Sequence, residues 1–400
     1  PFDDPAGFVF GNSKEGMIKT GSYIGDGQTV GPEIYLGWEP QWIIIKNAVA
    51  TDNWHVLDSM RGTVHGTNDQ YITVNTDASE SDYNFGYITP TGFQLEGNNL
   101  AYNQNLNQYV YIAIRRSDGY VGKPADAGTS VFSMAAGTSS ADPQFVSGFT
   151  TDFMLRRAYA STADWLAGSR LTGTKYLTPN RNSAEGTTSG SVWDYMNGMG
   201  DWNQDVTSQL GWNWKRHAGF DVTTWVGIGG SNRPLPHSLG KVPEMIWVKR
   251  RDDTNSWVVY HKGLNDGTNP YNYHLHLNTN SAEDTDNMWG DTALPTSTHF
   301  NVGSNADVNA NGTHTKYLAM LFASIDGISK CGFYDGVNGG QTITTGFQPR
   351  FVLIKNVTSA YHWVVLDTQR GWGSGNDQWI YLSTDIAQGT SSWDAGAPTS

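Results

Sequence analysis

The chain has 400 residues, with 46 glycines, 12 % aromatic residues and only 16 % charged ones. That mix suits many short strands joined by turns and argues against a helical fold. A formal net charge of −13 argues against nucleic acid, since phosphate binding needs a basic face. The lone Cys331 rules out an intrachain disulfide framework, and no run of 18 apolar residues is present to span a membrane.

Residues 1–16 read as the end of a preceding repeat or a linker, and the opening proline leaves room for a removed leader. From there a pattern of about a hundred residues recurs, punctuated by Gly16, Gly119, Gly219 and Gly327. The units are 17–119, a divergent second over 120–219, a third over 220–327, and a fourth over 328–400 that stops before its closing strands. Each opens on a strand and turn, GSYIGDGQTVGPEI in the first. A signature hairpin follows at 37–62, 148–173, 239–263 and 346–371, the last reading GFQPRFVLIKNVTSAYHWVVLDTQRG. Two short apolar runs split by a polar loop predict paired antiparallel strands. A third strand comes next (QYITVNTDAS, KYLTPNRNSA, YHLHLNTNSA, WIYLSTDIA), then an aromatic near Phe85, Trp193, Trp289 or Trp393. Two more strands close the unit, GFQLEG and QYVYIAIRR in the first. The reading is an all-β fold of tandem antiparallel β-sandwich repeats, coupled in series into an elongated, bead-like rod.

In all four hairpins a base stands eight residues before a tryptophan: Lys46 and Trp54, Arg157 and Trp165, Lys249 and Trp257, Lys355 and Trp363. A core must recur in every repeat, whereas a binding site need not, so the pair is structural. All four tryptophans are expected in equivalent buried sites, each base capping a strand end. Asp58 and Asp367 become Ser169 and His261 in the other copies, so no catalytic role follows, only local pairing with Arg61 and Arg370.

Asp307, Asn309 and Asn311 fit the first half of a calcium loop, but Leu318 stands where a bidentate acid is needed, and a hairpin turn explains the run as well. His274 and His276 share a strand face as half of a metal site, with an ordinary surface strand the alternative. No nucleophile elbow, phosphate-binding loop or His-Glu-x-x-His occurs, and no catalytic residue is predicted. Four aromatics fall outside the recurring framework, among Asn, Asp and Gly: Tyr120, Trp202, Trp212 and Trp372. They are candidates for stacking on a glycan or for contacts between units or chains.

With these motifs laid out, the sequence resembles repeat proteins from tailed phages of marine bacteria, cyanophages especially. The resemblance is carried by residues 346–356 (GFQPRFVLIKN), 363–371 (WVVLDTQRG), 293–300 (ALPTSTHF) and 117–128 (SDGYVGKPADAG), and it covers nearly the whole chain. The second unit departs from it, with Thr150 and Thr151 where the others have Pro40, Pro243 and Pro349, and with Trp212 and Trp214 at its end. The resemblance implies a virion protein with sandwich domains like lectin jelly rolls, in a tail fibre, spike or capsid appendage. Such a protein is assembled in the host cytoplasm, displayed outside the cell, and works beside other virion proteins as a homo-oligomer, commonly a trimer.

The reading is therefore a structural virion protein that contacts host-surface glycans or builds the rod presenting the contact, with no cofactor required. A polysaccharide-degrading tailspike enzyme is the first alternative and would need two close carboxylates in a cleft. A bacterial surface adhesin or extracellular filament is the second and would carry a secretion signal or sorting tail.

Overall fold

The computed structural model describes residues 16–66, 68–116, 121–139, 143–188, 190–201, 206–290, 293–312, 315–390 and 394–399. Its regular structure is nearly all antiparallel strand. Unit 1 holds β1 (Ile18–Ile24), β2 (Val30–Tyr35), β3 (Pro40–Asn47), β4 (Trp54–Asp58), β5 (Asp69–Thr73), β6 (Ser81–Tyr83), β7 (Gly86–Thr89), β8 (Gly92–Glu96) and β9 (Gln108–Arg115). They form a large sheet in the order β1-β9-β3-β4-β5-β6 and a small one, β2-β8-β7. Ile43, Ile45, Leu57 and Tyr109 of the large sheet pack on Ile34, Phe93 and Leu95 of the small one. This is a β-sandwich closed over alternating side chains.

Unit 2 repeats that topology strand for strand. It holds β10 (Phe132–Ala136), β11 (Phe145–Val146), β12 (Phe153–Ala158), β13 (Leu166–Ser169), β14 (Lys175–Leu177), β15 (Gly186–Thr187), β16 (Ser191–Val192), β17 (Gly198–Asp201) and β18 (Gln209–Trp214). Its sheets run β10-β18-β12-β13-β14-β15 and β11-β17-β16. Unit 3 holds β19 (Phe220–Val226), β20 (Arg233–Pro236), β21 (Met245–Arg250), β22 (Val258–His261), β23 (Tyr273–His276), β24 (Asp284–Thr285), β25 (His299–Val302) and β26 (Lys316–Phe322). The orders are β19-β26-β21-β22-β23-β24 and β20-β25. Unit 4 contributes β27 (Phe351–Ile354), β28 (Val364–Asp367), β29 (Gln378–Tyr381) and β30 (Gly389–Thr390) as one four-stranded sheet.

The glycine that opens each signature has a backbone reason. Gly37, Gly148, Gly240 and Gly346 all take φ between 72° and 85°, where a Cβ would clash with its own chain. A side chain there would disfavour the turn that feeds the first hairpin strand.

A sandwich strand usually has one apolar face, but these large sheets have two. In register across the outer face of unit 1 lie Thr20, Ile112, Ile44, Val56 and Ile72. The same row in unit 2 is Met134, Trp212, Leu155, Ala167 and Leu177. In unit 3 it is Val222, Met320, Trp247, Val259 and Leu275, and in unit 4 Leu353, Val365 and Ile380. The rows of units 2, 3 and 4 all pack into one core. Trp214 shows the convergence, lying 6.0 Å from Phe220 of unit 3 and 5.9 Å from Phe351 of unit 4. The expected string of beads is thus corrected: units 2–4 close on one another around a common apolar centre, because their second apolar faces can leave water only by meeting.

Candidate functional site: three tryptophans that close the repeats

The base of the signature pins the loop inside the hairpin. Lys46 Nζ donates to the carbonyls of Asn47 and Ala50, at 2.6 and 3.4 Å. Lys249 does the same with Arg250 and Asp253, at 2.6 and 3.2 Å, and Lys355 with Asn356 and Ser359, at 2.6 and 3.5 Å. An ammonium carries three donors, so it can gather carbonyls one and four residues on and hold a polar loop in a single shape. Burial lowers Lys249 and Lys355 to about 8 each. The expected ion pairs beside the second strand are present: Arg61 Nε lies 2.6 Å from Asp58 and Arg370 Nε 2.7 Å from Asp367.

The tryptophan eight residues on is set by a polar side chain just past the end of β5, β14, β23 or β29. Asn75, Asn180 and Asn278 each accept the backbone N–H of Trp54, Trp165 and Trp257 at 2.9 Å, and Ser383 accepts that of Trp363 at 3.4 Å. Held so, three of the four indoles reach into another unit. Trp257 Nε1 of unit 3 donates to the Thr178 carbonyl of unit 2 at 3.0 Å. Trp363 Nε1 of unit 4 donates to the His276 carbonyl of unit 3 at 2.9 Å. Trp165 Nε1 of unit 2 donates to the Tyr381 carbonyl of unit 4 at 2.8 Å, which completes the circle. The acceptors are equivalent positions, each two residues before the Asn or Ser that orients a tryptophan.

A second bond recurs in each seam. The N–H groups of Glu185, Glu283 and Gln388 donate to the carbonyls of Arg251, Val357 and Tyr159, at 2.8 Å in all three cases. Every donor lies seven residues beyond the carbonyl that accepts an indole, and every acceptor two residues beyond the signature base. The three seams are thus the same head-to-tail contact made three times, a closed pseudo-threefold ring within one chain.

The expectation that all four tryptophans are buried holds for three. Trp165, Trp257 and Trp363 are 1 %, 0 % and 3 % exposed, but Trp54 is 37 % exposed. The correction has a physical cause. These rings belong to the outer face and are buried by the neighbouring unit, and among the described residues no other unit packs on Trp54.

Unit 2 closes the ring with a changed base. Arg157 donates to the carbonyls of Tyr381 at 3.2 Å, Thr384 at 3.0 Å and Ile386, and its guanidinium lies 5.4 Å above Trp165. A planar fork with five donors reaches three carbonyls of unit 4, where Lys355, holding its own loop, reaches one across its seam, the Asn280 carbonyl of unit 3 at 3.3 Å. Trp212 is part of the same seam. Its ring lies tilted against Trp165 at 5.0 Å, it donates to the Asp367 carboxylate at 3.2 Å, and it has Arg370 5.6 Å from its ring.

Unit 1 is fastened to the ring by buried charge. Glu39 accepts two bonds from Arg216, at 2.7 and 2.6 Å, and Arg216 Nε bonds Asp221 at 2.7 Å. Arg216 N donates to Asp152 at 2.8 Å, and Arg116 and Arg170 lie 3.2 and 3.6 Å from that carboxylate. Burial alone would raise Asp152, but the guanidinium groups of Arg116, Arg170 and Arg216 outweigh it and hold it below the usual carboxylate range. His65 inserts at the same junction. Its backbone N–H donates to the Leu171 carbonyl, its own carbonyl accepts Arg251, and its buried ring lies tilted against Tyr87 at 4.0 Å.

Of the glycan candidates, Trp212 is fully buried in the seam between units 2 and 4. Trp372 is buried in unit 4 with its Nε1 on the Gly396 carbonyl at 2.9 Å. Neither presents a face to a sugar. Tyr120 and Trp202 lie outside the described residues, as does Trp393. The calcium reading is corrected at Asn309, which sits in the short helix α1 (Ala306–Asn309) and is buried. Its amide donates to the carbonyls of Gly229 and Gly230, and its oxygen accepts Ile228 N and Arg233. Asp307 is taken by Asn255, and Asn311 packs against Gly229. His274 and His276 stand 4.9 Å apart, ring to ring, with His274 buried rather than on the surface. Among the described residues no group of three or more His, Cys, Asp or Glu is placed to hold a metal ion.

Sequence reasoning missed Glu39, Asp152, Arg170 and Arg216, whose partners are distant in the chain. It missed the three acceptor carbonyls too, since a backbone oxygen leaves no mark in a sequence. One signal was available. Runs such as Trp42–Ile45 or Met245–Val248 are apolar at consecutive positions, which is how a strand buried on both faces reads.

Fold and seams together define a tandem β-sandwich repeat protein whose units lock to one another through tryptophan indoles. The chain belongs to the family described as a domain of unknown function, DUF7483, whose model matches residues 4–117 and 180–395. The stretch between the two matches contains the unit 2 hairpin, where arginine replaces lysine. No curated protein and no solved structure is matched by the chain.

Proposed function

We propose that this chain is a structural building block of an extended appendage, in the setting the sequence resemblance implies: a virion tail fibre, spike or capsid appendage. The observation that carries the reading is the ring of three indole–carbonyl bonds around a shared core, which makes one stiff body of three repeats. Stiffness is what a reader of surfaces needs from its support, and a closed ring of repeats supplies it. The charged groups support the same role. Glu39, Asp152, Asp221 and Asp367 are buried and engaged by arginines, so they serve packing rather than acid–base chemistry on a polysaccharide. The scaffold part of the reading gains over glycan contact, because Trp212 and Trp372 are enclosed.

Labelling intact phage particles with antibody raised against the chain tests it. Decoration of an appendage is the expected result. Label confined to non-particle material, or release of reducing ends from host-envelope polysaccharide by the purified chain, overturns it.

A further inference from the structure

The fourth copy of the ring-forming face, on unit 1, has no other repeat packed on it among the described residues, although Val56 at its centre is buried by its own neighbours on the sheet. On its outer side Val110 and Ile112 are 37 % and 38 % exposed, and Val74 57 %. Their register equivalents Leu318, Met320 and Leu277 in unit 3 are 1 %, 0 % and 0 % exposed, buried by the neighbouring repeats. Trp54 is oriented by Asn75 as its buried counterparts are by Asn180 and Asn278. Lys46 holds its hairpin loop as Lys249 does. The face is therefore shaped for the same seam, and a contiguous apolar sheet face of this kind marks an association site.

We infer that three copies of this chain join through unit 1, reproducing between chains the ring that units 2, 3 and 4 form within one. The occupant follows from the seam itself. Each repeat in the ring gives an indole N–H to one neighbour and takes one on its third strand from the other, so the contact is head-to-tail. Two copies would leave a donor on one and an acceptor on the other unused. The angle set by the internal seams closes at three. Between chains, Trp54 Nε1 donates to the Thr73 carbonyl of the next copy. The surface that fastens unit 1 to its own ring, Glu39 and His65, is separate from this face, so both contacts form together.

The inference does not depend on a virion setting, and its test reads mass rather than location. Sedimentation equilibrium of the 400-residue chain at micromolar concentration is expected to give three times the chain mass. Ile112→Asp places a carboxylate at the centre of the seam and is expected to give monomer. Val74→Asp changes a position already largely in solvent in the single chain, so it leaves the fold intact, and it too is expected to lower the trimer fraction at least tenfold. Wild-type monomer or dimer overturns the inference. So does a trimer that survives both variants, which would place the interface elsewhere. Monomer in which Trp54→Cys resists thiol reagents also overturns it, since the cover is then intramolecular.

Discussion

Trp165 Nε1 lies 2.8 Å from the carbonyl of Tyr381, 216 residues further along the chain, and this bond joins the last described repeat back to the second. It converts a linear run of sandwiches into a closed body. Trp165→Ala removes both the bond and a ring enclosed by Trp212 and Arg157, and should destabilise the chain by about 3–5 kcal/mol. Trp54→Ala, on the open face, should cost less in the single chain, about 1–2 kcal/mol in dilute solution. Urea unfolding of the two variants side by side checks this, and equal losses would contradict the assignment of the ring.

The junction between unit 1 and the ring rests on Arg216. Arg216→Met leaves Glu39 and Asp221 buried without their partner, and removing one member of a buried pair costs about 3–5 kcal/mol. Limited proteolysis should then cut between units 1 and 2 before it cuts inside units 2–4. Early cleavage within the ring would count against this order.

Acid acts on the same junction. Burial first, then the charges of Arg251 and Lys316, keeps His65 well below its ordinary value. Below about pH 6.5 the unfolded chain takes up a proton there that the folded chain refuses, so stability falls as the pH drops. His217 and His261, pushed down to about 4 mainly by burial, act in the same direction. Asp152 adds its share lower still: its depressed carboxyl contributes stability above the ordinary carboxylate range that is lost as the pH falls through its folded value. Between pH 7 and 5 the urea midpoint should fall, and His65→Phe should reduce that fall. A pH-independent midpoint would refute the assignment.

Above neutrality the sign is the same. Lys249 and Lys355, lowered by burial to about 8, lose their protons in the folded chain before the unfolded chain does. Between about pH 8 and 10 the unfolded state binds more protons, so stability should rise with pH. The double variant Lys249→Met, Lys355→Met should flatten that rise, read as the denaturation midpoint at pH 8 and at pH 10.

Much of this protein is legible residue by residue. The runs around Ile43, Met154, Ile246 and Val352 mark strands, the glycines from Gly37 to Gly346 mark turns that need positive φ, and the spacing of base and tryptophan marks one hairpin written four times. These are local matters: strand alternation, turn geometry and a lysine that reaches carbonyls one and four residues away are settled within about ten residues of chain. The sequence likewise carries the clue that both faces of the large sheets are apolar. What covers the outer face is not local. Trp54 and Trp257 occupy the same place in the same motif, with the same lysine before them and the same Asn orienting them. One is open to solvent over 37 % of its surface and the other is sealed. Only the tertiary structure separates them, because burial of an outward-facing ring depends on whether another repeat supplies the carbonyl and the apolar surface to meet it.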